Sequence, residues 1–411
     1  MSKLSLTSDE REQLGVMLET APKGMQKRIK LLTLYDQGLA TLKASRQAGY
    51  SPSRARYWKR QFLLRGMDIF KTRNPRQPAL AVRLNDDDFI VHPSLSKPGI
   101  LPDDAMSEAG RKIIHFHFLE MVKHEAGTLL GEEIEELHDM RVATRRMRAA
   151  FDIFGTYFDF KTIHPILQGL KATGRILGEV RDLDVFLEKA NTFLERLPIE
   201  QRSGLNPLLD HLRARLDRAR QGLVNHLNSQ VYLDFKTIFT LFLETPGMGV
   251  IRLRKGAPVQ TTVRFLAPPL IYSRLASVMA FDSILNTASY AQLHALRIEF
   301  KKFRYTLEFF KEVLGEESLP IIDEIKKLQD HLGELNDANV ACQTITRLLK
   351  KWDIDESSSP LLNRLNPEPV VNYLAYHYAE RHRLMVAFPE IWQQFSRPEL
   401  RQNLAKAVSS L

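Results

Sequence analysis

A single cysteine, Cys342, occurs in 411 residues, which excludes an intramolecular disulfide and any zinc site built from several thiolates. It lies in a helical stretch and is expected to be a small buried residue. No apolar run approaches the ~20 residues that a membrane-spanning helix needs, and the amino end lacks the apolar core of a signal peptide. The expected setting is cytoplasmic, without membrane contact. Walker-type glycine loops, the GxSxG elbow and HExxH are also missing, so nucleotide hydrolysis, acyl transfer and zinc proteolysis have no support. The nearest approach to a metal motif, His115 and His117, has no third ligand at a suitable spacing, and on a helix the two rings would point apart. No metal, cofactor or enzymatic activity is expected.

What the chain does contain is a duplication. LHDMRVATRRMR from Leu137 returns 156 residues later as LHALRIEFKKFR from Leu293. In both copies a histidine is followed by cations at plus three, plus seven and plus ten: His138, Arg141, Arg145 and Arg148, then His294, Arg297, Lys301 and Arg304. At 100° per residue each set falls within roughly 80° of arc on a helix. Displaced by one residue runs a nearly apolar stripe, Leu137, Met140, Thr144, Met147, Phe151 and Phe154, echoed by Leu293, Leu296, Phe300, Phe303, Leu307 and Phe310. One edge of each helix is built to pack inward, and the neighbouring edge concentrates positive charge.

A solvated charged face usually mixes signs, because Glu and Lys four residues apart support a helix. Like charges at that spacing cost a few tenths of a kcal/mol per pair. Unmixed stripes in two copies therefore point to a multiply anionic ligand, although acidic side chains elsewhere in the fold could also neutralise them. A second echo, LGEVRDLDVF from Leu177 and LGELNDANVA from Leu332, is offset by 155. Lys171 and Lys326 precede it at that same offset, with Arg175 and Lys327 nearby, and read as a second helix offering cations to the same space. Asp182 and Asp337 also correspond, and are expected to cap or to pair with an arginine rather than to catalyse.

The HxxRVxxRRxR, LHxLRxxxKKxRYxLExF, LGxxRDxDV and LGxxNDxNV segments resemble the CHAD domain, a name that abbreviates conserved histidine α-helical domain. The resemblance covers about residues 103 to 395. It implies an all-α body of two four-helix bundles related by pseudo-twofold symmetry, binding inorganic polyphosphate in a basic central groove; a scaffold recruited to polyphosphate granules is a third reading. Carried over by position, the ligand-binding residues fall on His138, Arg141, Arg145, Arg146 and Arg148, and on His294, Arg297, Lys301, Lys302 and Arg304. Arg146 and Lys302 lie off the main arc. The ExExK run of the triphosphate tunnel domains sometimes joined to CHAD domains is absent.

Charge is unevenly distributed. Residues 1–76 hold 16 Lys and Arg against 6 Asp and Glu, whereas the whole chain holds 58 and 49, so the remainder is nearly neutral. Within the basic segment, Ser5 to Glu10 reads as a helix start, Pro22 to Tyr35 as an amphipathic helix, and the stretch from Leu39 as a short helix, a turn at Gly49 and a helix opening at Ser51-Pro52. It is similar to the helix-turn-helix of transposase or homeodomain-like modules. In that reading Ser53, Arg54, Arg56 and Tyr57 would face DNA while Trp58 and Phe62 pack. A DNA-binding regulator whose large domain senses a phosphorylated effector is the alternative function, and a steep salt dependence of duplex binding would be its signature. The expected domains are 1–70, a proline-containing linker 71–102, a first half 103–245, a connection 246–269 and a second half 270–411. Asp353 to Pro369 reads as a loop before a last helix at about Val370 to Phe388.

Overall fold

A computed structural model describes residues 6–21, 23–50, 95–251, 261–356 and 366–411, together with residues 55, 58, 59, 62, 67 and 70. The chain is all-α, and no β-strand occurs among the described residues. It divides into two compact units, Met1–Val91 and His92–Leu411.

In the first unit, α1 (Ser8–Thr20) opens with a capping box: the Thr7 hydroxyl accepts from the Glu10 N–H, and the Glu10 carboxylate accepts from the Thr7 N–H. Helix α2 (Lys23–Asp36) ends on Asp36, which accepts from Arg11 at 2.7 Å and from the Leu6 N–H at 2.9 Å. Helix α3 (Thr41–Ala48) stops at Gly49, whose φ of 73° suits a residue without a Cβ. Leu14, Ile29, Leu32 and Tyr35 form a small core that also buries Trp58 and Phe62. Ser53, Arg54, Arg56 and Tyr57 lie outside the described residues.

The second unit consists of two copies of one arrangement. The first comprises α4 (Met106–Lys123), α5 (Ile134–Phe154), α6 (Phe160–Arg196), α7 (Asn206–Leu227) and α8 (Gln230–Glu244). The second comprises α9 (Val263–Met279), α10 (Tyr290–Phe310), α11 (Ser318–Glu356), α12 (Glu368–Phe395) and α13 (Pro398–Ser409). Neighbours pack in the same order in each, α4 on α5 on α6 on α7 with α8 against α6, then α9 on α10 on α11 on α12 with α13 against α11. The halves meet where α5 packs on α10. They also meet where α4 and α9 begin: Ala105 and Thr262, each just ahead of its helix, form an antiparallel bridge. The Met106 N–H donates to Thr261 O at 2.8 Å and the Val263 N–H to Asp104 O at 2.9 Å. Each half thus satisfies an orphan N–H of the other's first helix, in place of side-chain caps.

Each four-helix set carries a fifth helix, and the chain continues past Phe388 through Phe395 and into α13. The connection between halves ends earlier than position 269, because α9 starts at Val263 and takes Pro268 and Pro269 inside it. The carbonyls that these prolines leave unbonded belong to Arg264 and Phe265, both exposed residues, where solvent can take the place of the lost bonds. Helix α11 likewise runs on to Glu356, shortening the loop expected from Asp353.

The apolar stripes of α5 and α10 are interior throughout. Met140, Thr144, Met147, Phe154, Leu296, Phe300, Phe303, Leu307 and Phe310 have no measurable exposure. Burying a large apolar side chain is worth roughly 1.5–3 kcal/mol, against a few tenths for each like-charged pair. Packing therefore dictates how these helices rotate, and the cation stripes follow one residue out of phase.

Candidate functional site

Helix α5 begins with Glu135 and Glu136 in its first turn, where carboxylates complement the helix dipole. Helix α10 begins with a capping box between Ser289 and Gln292. Once the apolar stripes are buried, Arg141, Arg145, Arg297 and Arg304 come from the two halves near enough to act on Lys301. Lys301 records their proximity: burial first, then Arg297, Arg145, Arg141 and Arg304, push its ammonium down to about 8. Arg145 is also lowered, chiefly by burial, with Arg141 and Arg304 adding to the effect. Arg297 is lowered by burial and by Arg141, against the opposing influence of Asp337, Tyr290 and Tyr305. The Tyr305 ring lies 5.9 Å from the Arg145 guanidinium and 5.3 Å from that of Arg304, and stacks on Phe309.

Helix α6 runs antiparallel along the outside of the α5 stripe. A Cβ on Gly174 would stand 3.8 Å from Arg148 Nη1, and one on Gly178 3.7 Å from Arg141 Nε. One turn further, Arg141 donates to Asp182 at 3.1 Å. Small residues thus let guanidinium groups lie against α6. The carboxyl of Asp182, although its side chain is 72% exposed, is raised by the crowding around it first and then by Asp337 from the other half, against the pull of Arg141 and Arg181. Asp337 accepts from Lys189 at 2.7 Å, which joins α6 to α11.

Countercharge is concentrated at the seam rather than in the centre. Arg146 pairs with Glu308 across the two halves at 3.1 Å, and Arg304 reaches the same carboxylate at 3.6 Å. Lys302 pairs with Glu299 at 2.6 Å on its own helix. Asp152, at the position corresponding to Glu308, is raised by burial, with Arg148, Lys302 and Arg274 opposing. Arg145, Arg297 and Lys301 form no ion pair among the described residues. Buried ring or guanidine nitrogens without a hydrogen-bond partner among those residues include His138 Nδ1, His294 Nδ1 and the Nε atoms of Arg145, Arg297 and Arg304. Such donors are costly to leave unmade.

The remaining expected residues divide. His138 and His294 occupy the outer ends of the stripes, half-buried. Burial first, then Arg181, lower His138, with Glu135 and Asp139 opposing. Arg148, Lys171, Arg175, Lys326 and Lys327 are exposed, and Arg175 lies near enough to His226 of α7 to add to the lowering that burial begins there. Sequence reasoning passed over Arg181 and Tyr305. The first could have been found from its place one turn beyond Gly178 on the same face; the second is visible only as an inequality between copies, since its counterpart is Ala149. His117 is a core residue pushed down to about 3 by burial, then by Arg146 and Lys311. No cluster of three potential metal ligands occurs among the described residues, and no described helix is long and apolar enough to cross a membrane.

A cluster of cations from both halves, with buried nitrogens left over, is suited to holding an anion of several charges, since arginine forks meet paired oxygens and lysine supplies a point charge. The family model for the CHAD domain matches residues 112–346. Among solved structures, the CHAD domain from the plant Ricinus communis is similar with a TM-score of 0.51 and 22% identity, over 76% of this chain and 94% of that one. PptA from Streptomyces chartreusis is similar with a TM-score of 0.51 and 16% identity, over 71% of this chain and all of that one. No curated protein sequence matches the chain.

Proposed function

The chain belongs to the CHAD domain family, and from that membership we propose that it binds inorganic polyphosphate in the cleft between α5 and α10, without catalysing a reaction on it. The observation that carries this reading is the meeting of Arg141 and Arg145 from one half with Arg297, Lys301 and Arg304 from the other, close enough for all four arginines to depress Lys301. A polymer with about one charge per phosphate would offset that crowding and release condensed counterions, as nucleic acids do on meeting Lys and Arg. His138 and His294 would add donors at the two ends, and Lys171 and Lys326 would widen the basic field. Arg146 and Lys302, already held by Glu308 and Glu299, contribute less. Binding of this polymer would recruit the protein to polyphosphate granules, which fluorescence microscopy of tagged protein tests: a diffuse signal in granule-rich cells counts against recruitment.

The direct test is titration with long-chain polyphosphate at several salt concentrations. Affinity should fall linearly on a log–log plot, with a slope set by the number of phosphates neutralised. Absence of binding at low salt would refute the proposal.

A further inference from the structure

Among the differences between the two halves, one set lies around the histidines at the outer ends of the cation stripes. Around His138 stand Arg181, Glu135 and Asp139. The corresponding positions around His294 hold Asn336, Ala291 and Ala295. The antiparallel approach of Gly174 to Arg148, of Gly178 to Arg141 and of Asp182 to Arg141 carries Arg181 to the level of His138. Glu135 lies one helical turn outside His138, away from Arg141, and Asp139 is exposed beside it. At the other end, Asn336 is neutral and accepts from the Tyr290 hydroxyl at 3.2 Å.

Helix dipoles alone do not explain the carboxylates. The first turn of α10 is equally a helix N-terminus and carries no acidic residue, whereas that of α5 carries Glu135 and Glu136.

Resting on the polyphosphate reading, we infer that the cleft has a direction: it seats a terminal phosphate of a linear chain at His138 and Arg181, and the rest of the chain leaves past His294. A terminal phosphate carries a second ionisable oxygen with a pKa near 6, so close to neutral pH it holds more charge than an internal one. An additional guanidinium and an imidazole suit it. Glu135 and Asp139 stand where a following phosphate would lie, and repel it. Ala291, Ala295 and Asn336 offer no such barrier, so the polymer continues outward there. Arg181 thus recognises the chain end, and the two carboxylates act as a stop.

Loading stoichiometry tests this with the full-length protein and linear polyphosphates of graded length. A directional cleft loads one protein per chain end whatever the length. A cleft open at both ends loads in proportion to length. Blocking both terminal phosphates as esters should weaken binding by about tenfold or more, the factor that one charge-assisted hydrogen bond supplies. In the double variant Glu135→Ala, Asp139→Ala, both exposed positions, loading should become length-dependent. Wild-type loading that grows with length, or indifference to blocked ends, would overturn the direction while leaving polyphosphate binding intact. Failure of wild type to bind any chain would instead overturn the reading on which it rests.

Discussion

Lys301 should couple polyphosphate binding to proton uptake. Its ammonium is pushed from the ordinary 10.5 down to about 8 by burial and by Arg297, Arg145, Arg141 and Arg304. A bound polyanion does not undo the burial, but its negative charge offsets both burial and the neighbouring guanidiniums, so the bound lysine returns toward its ordinary value. The sign follows. Below pH 8 the free lysine is already charged and adds little pH dependence of its own, whereas above pH 8 binding must take up a proton at Lys301 and weakens. If the ordinary value is fully restored, uptake is about 0.1 proton at pH 7 and about 0.9 at pH 9, and affinity falls about tenfold between them. Isothermal titration calorimetry in buffers of different ionisation enthalpy counts these protons directly. At pH 9 a terminal phosphate is already fully ionised and exchanges no proton on binding. Lys301→Arg, which retains the charge at all accessible pH, should bind with little pH dependence above pH 8. Zero uptake at pH 9, or an arginine variant with the full pH dependence, would refute the reasoning.

At lower pH the same logic applies to His138, whose basicity is depressed by burial and by Arg181. Wild-type affinity should therefore rise as pH falls from 8 to 6, and binding curves of His138→Gln should lose most of that rise. Gly178→Leu should displace Arg141 from α6, lowering affinity several-fold by titration while leaving the melting temperature unchanged or higher, since leucine favours a helix over glycine by up to about 1 kcal/mol. Glu308→Gln should destabilise the protein by about 2 kcal/mol in chemical denaturation, less than a fully buried pair because Arg146 retains 33% of its side-chain exposure. Phe303→Ala, at a site with no exposure, should cost about 3–5 kcal/mol in the same assay.

The repeat made the core and the charged edge legible without coordinates. Two interlocked periodicities, one apolar and one cationic, fixed the rotation of α5 and α10, and all twelve stripe residues are buried. Helix count was less legible, because α8 and α13 lie outside the paired motifs and Pro268 and Pro269 read as a break, although exposed carbonyls tolerate them within α9. Countercharge was illegible. Glu308 sits in the same helix as the cations it serves, yet its main partner, Arg146, comes from the other half, a pairing that only tertiary packing creates. The roles of Arg181, Glu135 and Asp139 emerge from comparing the two copies once their register is known, because the information lies in where the duplication has diverged.

That one polyanion is held by both halves at once is tested most directly by Arg141→Ala, Arg297→Ala and the double variant, each titrated with polyphosphate across salt. A shared ligand should lower the salt slope by roughly one for each single variant and roughly two for the double. An unchanged slope after either substitution would mean that the corresponding half does not touch the ligand, and would contradict a single converged cleft.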